Sequence, residues 1–270
     1  MQRYLLQLTH SSPERQARRS LLAAAKRSDP ESYLALAANY LDLAQVYFGN
    51  SLHEPHQIRQ DRCGQIFTVL WQHLPYAERL SDFEYMLACS LIDNTPDPRS
   101  IQSQDALVVR IRQLDPRVRF ALLAYEFERW SSRWVALVMR IQPKALHEML
   151  AEARCELCNV SWGSLSSKEK ACLVAVSYAL DKCPNLRVNR ALSQRIADCP
   201  RISEIKAQWL EMRSEMVEIR HRYIPNQRDR EACLDRIFSD IHKKPMHHPA
   251  LVDRVLNAVH FSRHARIRVS

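Results

Sequence analysis

The chain has 270 residues, with 39 basic and 30 acidic side chains and a formal net charge of +9. Hydrophobic residues make up 46% of it, which is enough for one large core or two small ones and excludes wholesale disorder. The sequence contains three glycines, too few for the glycine-rich phosphate loop of nucleotide-binding proteins or for a turn-rich β architecture. The composition therefore predicts an all-α protein.

The first predicted module comprises residues 1–95. Apolar residues at helical spacing predict one helix of about five turns that begins at Pro30. Two more helices are predicted within this module, at 54–75 and 81–94. The stretch 96–105 is polar and contains two prolines, which predicts a linker between this module and the next.

The second predicted module spans residues 106–160. Its helices are predicted at about 103–113, 117–128, 131–139 and 144–160. The last two are separated by about four residues around the Gln142-Pro143 break. A connection of that length between two helices is typical of a helix-turn-helix.

Residues 161–270 form the third predicted region. Helices are expected at about 165–182, 187–198, 202–222, 227–243 and 248–262, with prolines between most of them. The region carries 20 basic and 12 acidic side chains, so it holds most of the excess positive charge. Such an excess attracts nucleic acid or acidic partners, but it is also common on solvated helices.

Cysteine and histidine are the residues considered for metal binding. Cys155 and Cys158 have the spacing of a ligand pair, but a zinc site needs four ligands and no second pair follows, so a packing role is predicted for them. Five histidines between His242 and His264 alternate with lysines and arginines, which favours a solvated basic tail. No nucleophile context or paired carboxylate site occurs, and the sequence predicts neither an enzyme nor a cofactor.

The apolar runs predict no membrane segment. None approaches the roughly 18 residues that a spanning helix needs. The first 20 residues lack the apolar core and the small-residue cleavage site of a secretory signal. We therefore expect a cytoplasmic protein with reduced cysteines.

Three motifs occur in order along the first module. The four residues Ser28-Asp29-Pro30-Glu31 open its first helix, Asp61, Phe67 and Trp71 mark the second, and the third contains the run from Phe83 to Leu87. This order resembles the first domain of the extracytoplasmic-function group of bacterial sigma factors, whose second helix reads Asp-x-x-Gln-acidic-x-Phe-x-x-x-Trp. Gly64 stands where that family has the glutamine.

The second module continues the resemblance. Its matching segments are Leu114–Arg119, Ser131–Ala136, Met139–Gln142 and Ala153–Leu157. They resemble, in order, the opening of the family's promoter-reading domain, the first helix of its helix-turn-helix, the turn, and the end of the second helix. The resemblance covers about three fifths of the chain.

The resemblance implies a sigma-factor-like transcription initiation or regulatory protein that binds bacterial core RNA polymerase and could bind promoter DNA. In the family, the second helix contacts the clamp coiled coil of the polymerase, which implies partner-binding roles for Ile58, Asp61 and Gln65. Any DNA contacts would come from the basic residues of the helix-turn-helix, which are Arg133, Arg140, Lys144, His147 and Arg154.

The charge pattern supports a second hypothesis. Residues 88–97 contain no basic side chain, although the family uses a basic stretch there to contact DNA. Glu148 and Glu152 lie on the expected recognition helix, where a carboxylate facing phosphates costs affinity. The alternative is therefore a non-enzymatic interaction adaptor on a sigma-like frame that no longer binds DNA.

The C-terminal region has a fainter likeness to a second kind of protein. Residues 191–200, a long helix over 204–223 and the run Leu234-Asp235-Arg236-Ile237 together resemble the cytoplasmic domain of anti-sigma factors. Arg195 and Ile202 replace a histidine and a cysteine of that family's zinc site, so no metal is implied. The likeness implies either an anti-sigma-type regulator as a partner or self-inhibition by the C-terminal region.

Overall fold

The chain is all-α in every part that the computed structural model describes, which is residues 13–51, 56–95, 105–182 and 190–246. This confirms the predicted fold class. The helices up to residue 126 are α1 (Pro13–Ala25), α2 (Pro30–Ala38), α3 (Leu41–Ser51), α4 (His56–Gln72), α5 (Leu80–Asp93), α6 (Ala106–Gln113) and α7 (Pro116–Glu126). The helices that follow are α8 (Ser132–Met139), α9 (Pro143–Leu157), α10 (Ser167–Lys182), α11 (Arg190–Ala197), α12 (Pro200–Tyr223) and α13 (Gln227–Lys243).

The contacts divide the chain into two compact units. Unit 1 comprises Met1–Asp42, His56–Ser90 and Pro225–Ser270, and unit 2 comprises Leu43–Pro55 and Leu91–Ile224. The units do not follow the three regions predicted from the sequence. The predicted third region is divided between them, because α10 to α12 pack with the second module and α13 packs with the first.

The helix predicted to run without interruption from Pro30 is broken in the structure. It ends at Ala38, and a new helix begins at Leu41. At the break, the Asn39 side chain donates a hydrogen bond to the Ala35 carbonyl (2.6 Å), and the Tyr40 hydroxyl donates one to the buried carboxylate of Glu84 (2.6 Å). These contacts compete with continued helix, and an apolar period alone does not reveal them. Helix α1 was not predicted, since its buried apolar residues are few.

Local capping signals explain several of the observed helix starts. Asp29, Asp105, Asp115 and Ser131 each accept a backbone N–H from the first turn that follows. Pro143 is the first residue of α9, so the predicted break is the start of a helix. Residues 96–104 of the predicted linker and the helix predicted at 248–262 lie outside the described residues.

The core of unit 1 forms around tyrosines on the early helices. The Tyr33 hydroxyl donates a hydrogen bond to the Phe67 carbonyl, so α2 is tied to α4. Tyr40 is buried against Glu84, and burial together with that carboxylate raises the pKa of Tyr40 well above its ordinary value. The guanidinium of Arg18 lies 3.7 Å from the same carboxylate. Glu84 is thus a buried charge that α1, α5 and the turn before α3 share.

The core of unit 2 brings α9, α10 and α12 together. The buried residues of α12 recur at intervals of three or four positions. They are Ile202, Ile205, Trp209, Met212, Met216 and Ile219. This spacing gives one apolar stripe along a 24-residue helix. Within the described ranges, none of the helices is both long enough and apolar enough to span a bilayer.

Candidate functional site

Helix α4 carries the three residues that the resemblance assigns to partner binding. Asp61 and Gln65 lie one helical turn apart, with the Asp61 side chain 35% exposed and Gln65 exposed. Val69, one turn further, is 43% exposed and extends the same stripe. Ile58 belongs to α4, but its side chain lies outside the described residues. The structure therefore places Asp61 and Gln65 on one accessible face, which we call the α4 face (Asp61, Gln65 and Val69).

Helix α13 packs alongside α4 at the start of this face. The Gln60 amide donates to the Asp229 carbonyl (3.4 Å), and the Arg236 guanidinium forms an ion pair with Asp61. The carboxylate that was predicted to meet a partner is already bound by an arginine of the same chain.

Gly64 of α4 lies directly beside the side chain of Arg236. A Cβ atom placed on Gly64 would lie 3.2 Å from Cδ and 3.4 Å from Nε of Arg236. A Cβ atom at this position would therefore require the arginine side chain to shift by a few tenths of an ångström. The sequence shows Gly64 only as a departure from the family's glutamine, and the structure shows that the departure makes room for Arg236.

Two thiols lie inside the contact between α4 and α13. Cys63 and Cys233 are both buried, and both are free. Burial, with a smaller contribution from Cys233, raises the pKa of Cys63 well above its ordinary value. Burial likewise raises the pKa of Cys233 to about 11, against the opposing effect of Arg236. Both thiols are therefore protonated and shielded while α13 stays in place.

A second arginine fastens α13 within unit 1. Arg230 Nη2 lies 2.6 Å from the Asp42 carboxylate, and both side chains are about a quarter exposed. Buried apolar residues of α13 are Ile237 and Ile241, next to Cys233. The helix is thus held by a short apolar stripe and by two ion pairs at its solvent edge.

Helices α8 and α9 form the pair predicted as a helix-turn-helix. Three residues connect them, and Arg140 in that connection has a left-handed backbone (φ 54°, ψ 42°). The Ile141 N–H bonds to the Ala136 carbonyl (3.0 Å), which closes α8 in the usual way for a left-handed C-terminal residue. An arginine is uncommon in this conformation, and the family has glycine at the matching position.

The structure separates the five predicted DNA-contacting residues into two groups. Arg133 is exposed in the first turn of α8, and Arg140 and Lys144 are exposed on either side of the start of α9. His147 and Arg154 are buried in unit 2, so the prediction that they contact DNA does not fit the structure. Both lie on the same side of α9 as Leu150, which is the side that packs against the rest of the unit.

Arg154 is the centre of a buried ionic network. Its Nη2 and Nε atoms lie 2.6 and 3.0 Å from Oε1 of Glu126, and its Nη1 donates to the Ser177 hydroxyl (2.7 Å). Arg213 Nε binds the other Glu126 oxygen (2.8 Å). Glu126 thus joins one arginine of α9 to one of α12, and we call these four residues the Glu126 network (Glu126, Arg154, Ser177 and Arg213).

The exposed side of α9 is acidic. Glu148, Glu152 and Glu156 are exposed at intervals of one turn. Lys144 lies 3.8 Å from Glu148 and so offsets part of this charge. Partial burial and the neighbouring Glu152 raise the pKa of Glu156, as expected where like charges lie close together. If this side of α9 faced DNA, its carboxylates would lie against the negatively charged phosphate backbone.

The cysteine pair of α9 has a packing environment. Cys155 is buried in the core of unit 2, and Cys158, which ends the helix, packs against that core. Burial raises the pKa of Cys155 to about 12. No group of three potential metal-ligating side chains occurs within the described ranges. Of the predicted basic histidine tail, the residues beyond Met246 lie outside those ranges.

Sequence reasoning missed the ion pairs that Arg230 and Arg236 form with Asp42 and Asp61. Arg236 was noted only as part of a motif resembling anti-sigma factors. Its partner Asp61 is 175 positions away in the chain, and no local pattern identifies such a pairing. The comparisons with known proteins add no further assignment, since no protein family, curated protein or solved structure matches this chain.

Proposed function

We propose that this protein is a non-enzymatic, sigma-factor-like transcription protein that docks on bacterial core RNA polymerase through the α4 face. The proposal joins the ordered motifs of the first two modules to the position of Asp61 and Gln65 on one accessible stripe. In the sigma family, the partner at this helix is the clamp coiled coil, itself a pair of helices.

One observation carries the proposal. Helix α4 already accommodates a helix next to the α4 face, because α13 packs on the neighbouring side of α4 and places Arg236 against Asp61, the first residue of that face. A surface that receives one helix through a carboxylate and a glycine-lined approach is suited to receive another of similar chemistry. The partner helix would need a basic side chain for Asp61 and an apolar or polar contact for Gln65 and Val69.

Promoter reading through α9 is not included in the proposed function. Two of the five basic residues assigned to it are buried, and the exposed side of the helix carries three glutamates. Sequence-specific binding begins with phosphate contacts from lysine and arginine, which position the protein on the duplex. Arg133, Arg140 and Lys144 can supply weak, salt-sensitive attraction, but α9 has no matching set of base-reading side chains.

Docking is tested by titrating the full chain with purified bacterial core RNA polymerase. We expect binding by the wild type and at least about tenfold weaker binding by Gln65→Arg, since a long cation would occupy the face. Gln113→Arg is the matched control, because it makes the same change at an exposed glutamine of unit 2. Equal binding by Gln65→Arg and wild type, or no binding by any form of the chain, would contradict the proposal.

The exclusion of α9 from DNA reading is tested by charge reversal. Glu148→Lys with Glu152→Lys is compared with Glu211→Lys and Glu218→Lys, two exposed glutamates of α12. Each double variant gains the same charge, so both should increase duplex-DNA affinity to a similar extent through non-specific attraction. A much larger increase for the α9 variant would show that α9 faces a groove and would restore the DNA-binding hypothesis.

A further inference from the structure

On the basis of the proposed docking function, we propose that α13 is an internal competitor for the α4 face. While α13 lies on α4, Arg236 occupies Asp61 and the approach over Gly64. A partner helix gains these contacts only when α13 leaves. The partner that fits is then a helix with a basic side chain in the position of Arg236, so α13 also indicates the chemistry of the partner.

The first argument is the occupancy of Asp61. Its carboxylate is bound by the Arg236 guanidinium, and a second cation could approach only by displacing that arginine or by sharing the carboxylate. The neighbouring Gln60 and Cys63 are also covered by α13. Gln65 and Val69 stay exposed, so a partner could make first contact there before α13 is displaced.

The second argument is the fit between Gly64 and Arg236. The arginine side chain lies beside the glycine, and a Cβ atom on the glycine would be 3.2 Å from Cδ of the arginine. A glutamine at this position, as in the resembling family, would bring a Cβ atom into close contact with the arginine. The glycine and the arginine therefore complement each other within one chain, 172 positions apart by their residue numbers.

The third argument is that the polar contacts of α13 are reversible. Its two ion pairs are partly exposed, and pairs of this kind contribute little to stability and weaken as salt increases. The buried residues Cys233, Ile237 and Ile241 belong to a helix that packs against both α4 and α2. A partner that displaces α13 must therefore offset the loss of this packing as well as the two ion pairs.

The experiment uses the full chain with Arg230→Glu and Arg236→Glu, which place like charges beside Asp42 and Asp61. The matched control is Arg228→Glu with Lys243→Glu, two exposed residues of α13 with the same change in charge. Gly64→Gln is a second test variant that leaves both arginines intact. For each protein we measure maleimide labelling of Cys63 and Cys233 by peptide mass, and affinity for bacterial core RNA polymerase.

We expect both test variants to label Cys63 and Cys233 at least tenfold faster than wild type and the control. Cys155 should stay protected in all of them, which shows that unit 2 remains folded. Polymerase affinity should increase about tenfold or more in the test variants, because the binding-competent fraction increases. Slow labelling in both test variants, or fast labelling with unchanged polymerase affinity, would overturn the competitor proposal.

The failure of the proposed docking function gives a different result. In that case the test variants would expose Cys63 and Cys233, and no form of the chain would bind the polymerase at all. α13 would then be a detachable helix on α4, but not a competitor for polymerase. Labelling and binding are separate readouts, so the two causes are distinguishable.

Discussion

Each unit of the molecule contains an arginine–carboxylate contact that joins a late helix to an earlier one. In unit 1, Arg236 of α13 binds Asp61 with the two side chains 40% and 35% exposed. In unit 2, the Glu126 carboxylate is 4% exposed and binds both the fully buried Arg154 of α9 and Arg213 of α12, which is 29% exposed. The chemistry is the same, and the access of water differs.

This difference in burial predicts different behaviour. An exposed pair can break and be replaced by water or by another partner at little cost. A buried pair cannot, because each charge that loses its partner stays in a medium of low polarity. We therefore interpret α12 as a permanent part of unit 2 and α13 as a removable part of unit 1.

The largest expected effect comes from the buried network. Glu126→Gln keeps the shape of the side chain but removes the charge that holds Arg154 and Arg213. We expect a loss of about 3 kcal/mol in the free energy of unfolding, at the low end of the values for breaking a buried ion pair. Chemical denaturation followed by tryptophan fluorescence measures it, since Trp209 lies 5.5 Å from the Arg154 guanidinium.

The control for this variant is Glu152→Gln, which removes an exposed carboxylate of α9. It should change the free energy of unfolding by less than about 0.5 kcal/mol, as is usual for exposed positions. A similar small effect for Glu126→Gln would show that burial does not distinguish the two units.

The next effect concerns hydrogen exchange in the two late helices. Backbone amides at the buried positions of α13, Ile237 and Ile241, should exchange at least about tenfold faster than those at Trp209 and Met212 of α12. Raising the salt concentration should accelerate exchange in α13 and leave α12 unchanged, because only exposed pairs are screened. Equal protection of both helices, at low and high salt, would contradict the interpretation of α13 as removable.

The sequence predicted the helices well and their partners poorly. The predicted helix at 227–243 has the bounds that the structure shows, because Asn226 caps its start and its apolar period is clear. The pairing of this helix with α4 was not predictable. It depends on Asp61 and Arg236, and the sequence gives no signal for a contact at that separation.

The sequence contains a signal for the burial of Arg154 and His147. Both residues fall on the apolar period of α9, among Leu146, Leu150 and Leu157. The resemblance drew attention to their basic character, and a basic residue on an apolar stripe was assigned to DNA. Glu126 could not have been identified as the buried partner of Arg154, because it ends a different helix and a glutamate in that place is usually solvated.

A smaller effect is expected in alkaline solution from the buried thiol of unit 2. Burial raises the pKa of Cys155 from about 9 in its ordinary state to about 12 in the folded chain. Between these values the unfolded chain has lost the proton and the folded chain has kept it, so stability falls as the pH rises. Wild type should therefore lose stability relative to Cys155→Ala between pH 8.5 and about 10.5, measured by denaturation at each pH. A constant difference across that range would contradict the assigned burial.

The smallest effect on stability is expected at the exposed pair. Arg236→Ala removes the ion pair to Asp61, and it should lower the free energy of unfolding by no more than about 1 kcal/mol, the upper range for partly exposed pairs. The same variant should nevertheless increase the labelling of Cys63 and Cys233 several-fold, since a free-energy change of that size shifts a local opening equilibrium by about five times. Arg228→Ala, at an exposed position of the same helix, should change neither quantity.

A loss as large as that of Glu126→Gln would mean that Arg236 supports the fold of unit 1, and α13 could not then leave without unfolding it. A small loss in the free energy of unfolding together with faster labelling would instead show that α13 can leave α4 while the rest of unit 1 stays folded. A competitor for the α4 face requires this property.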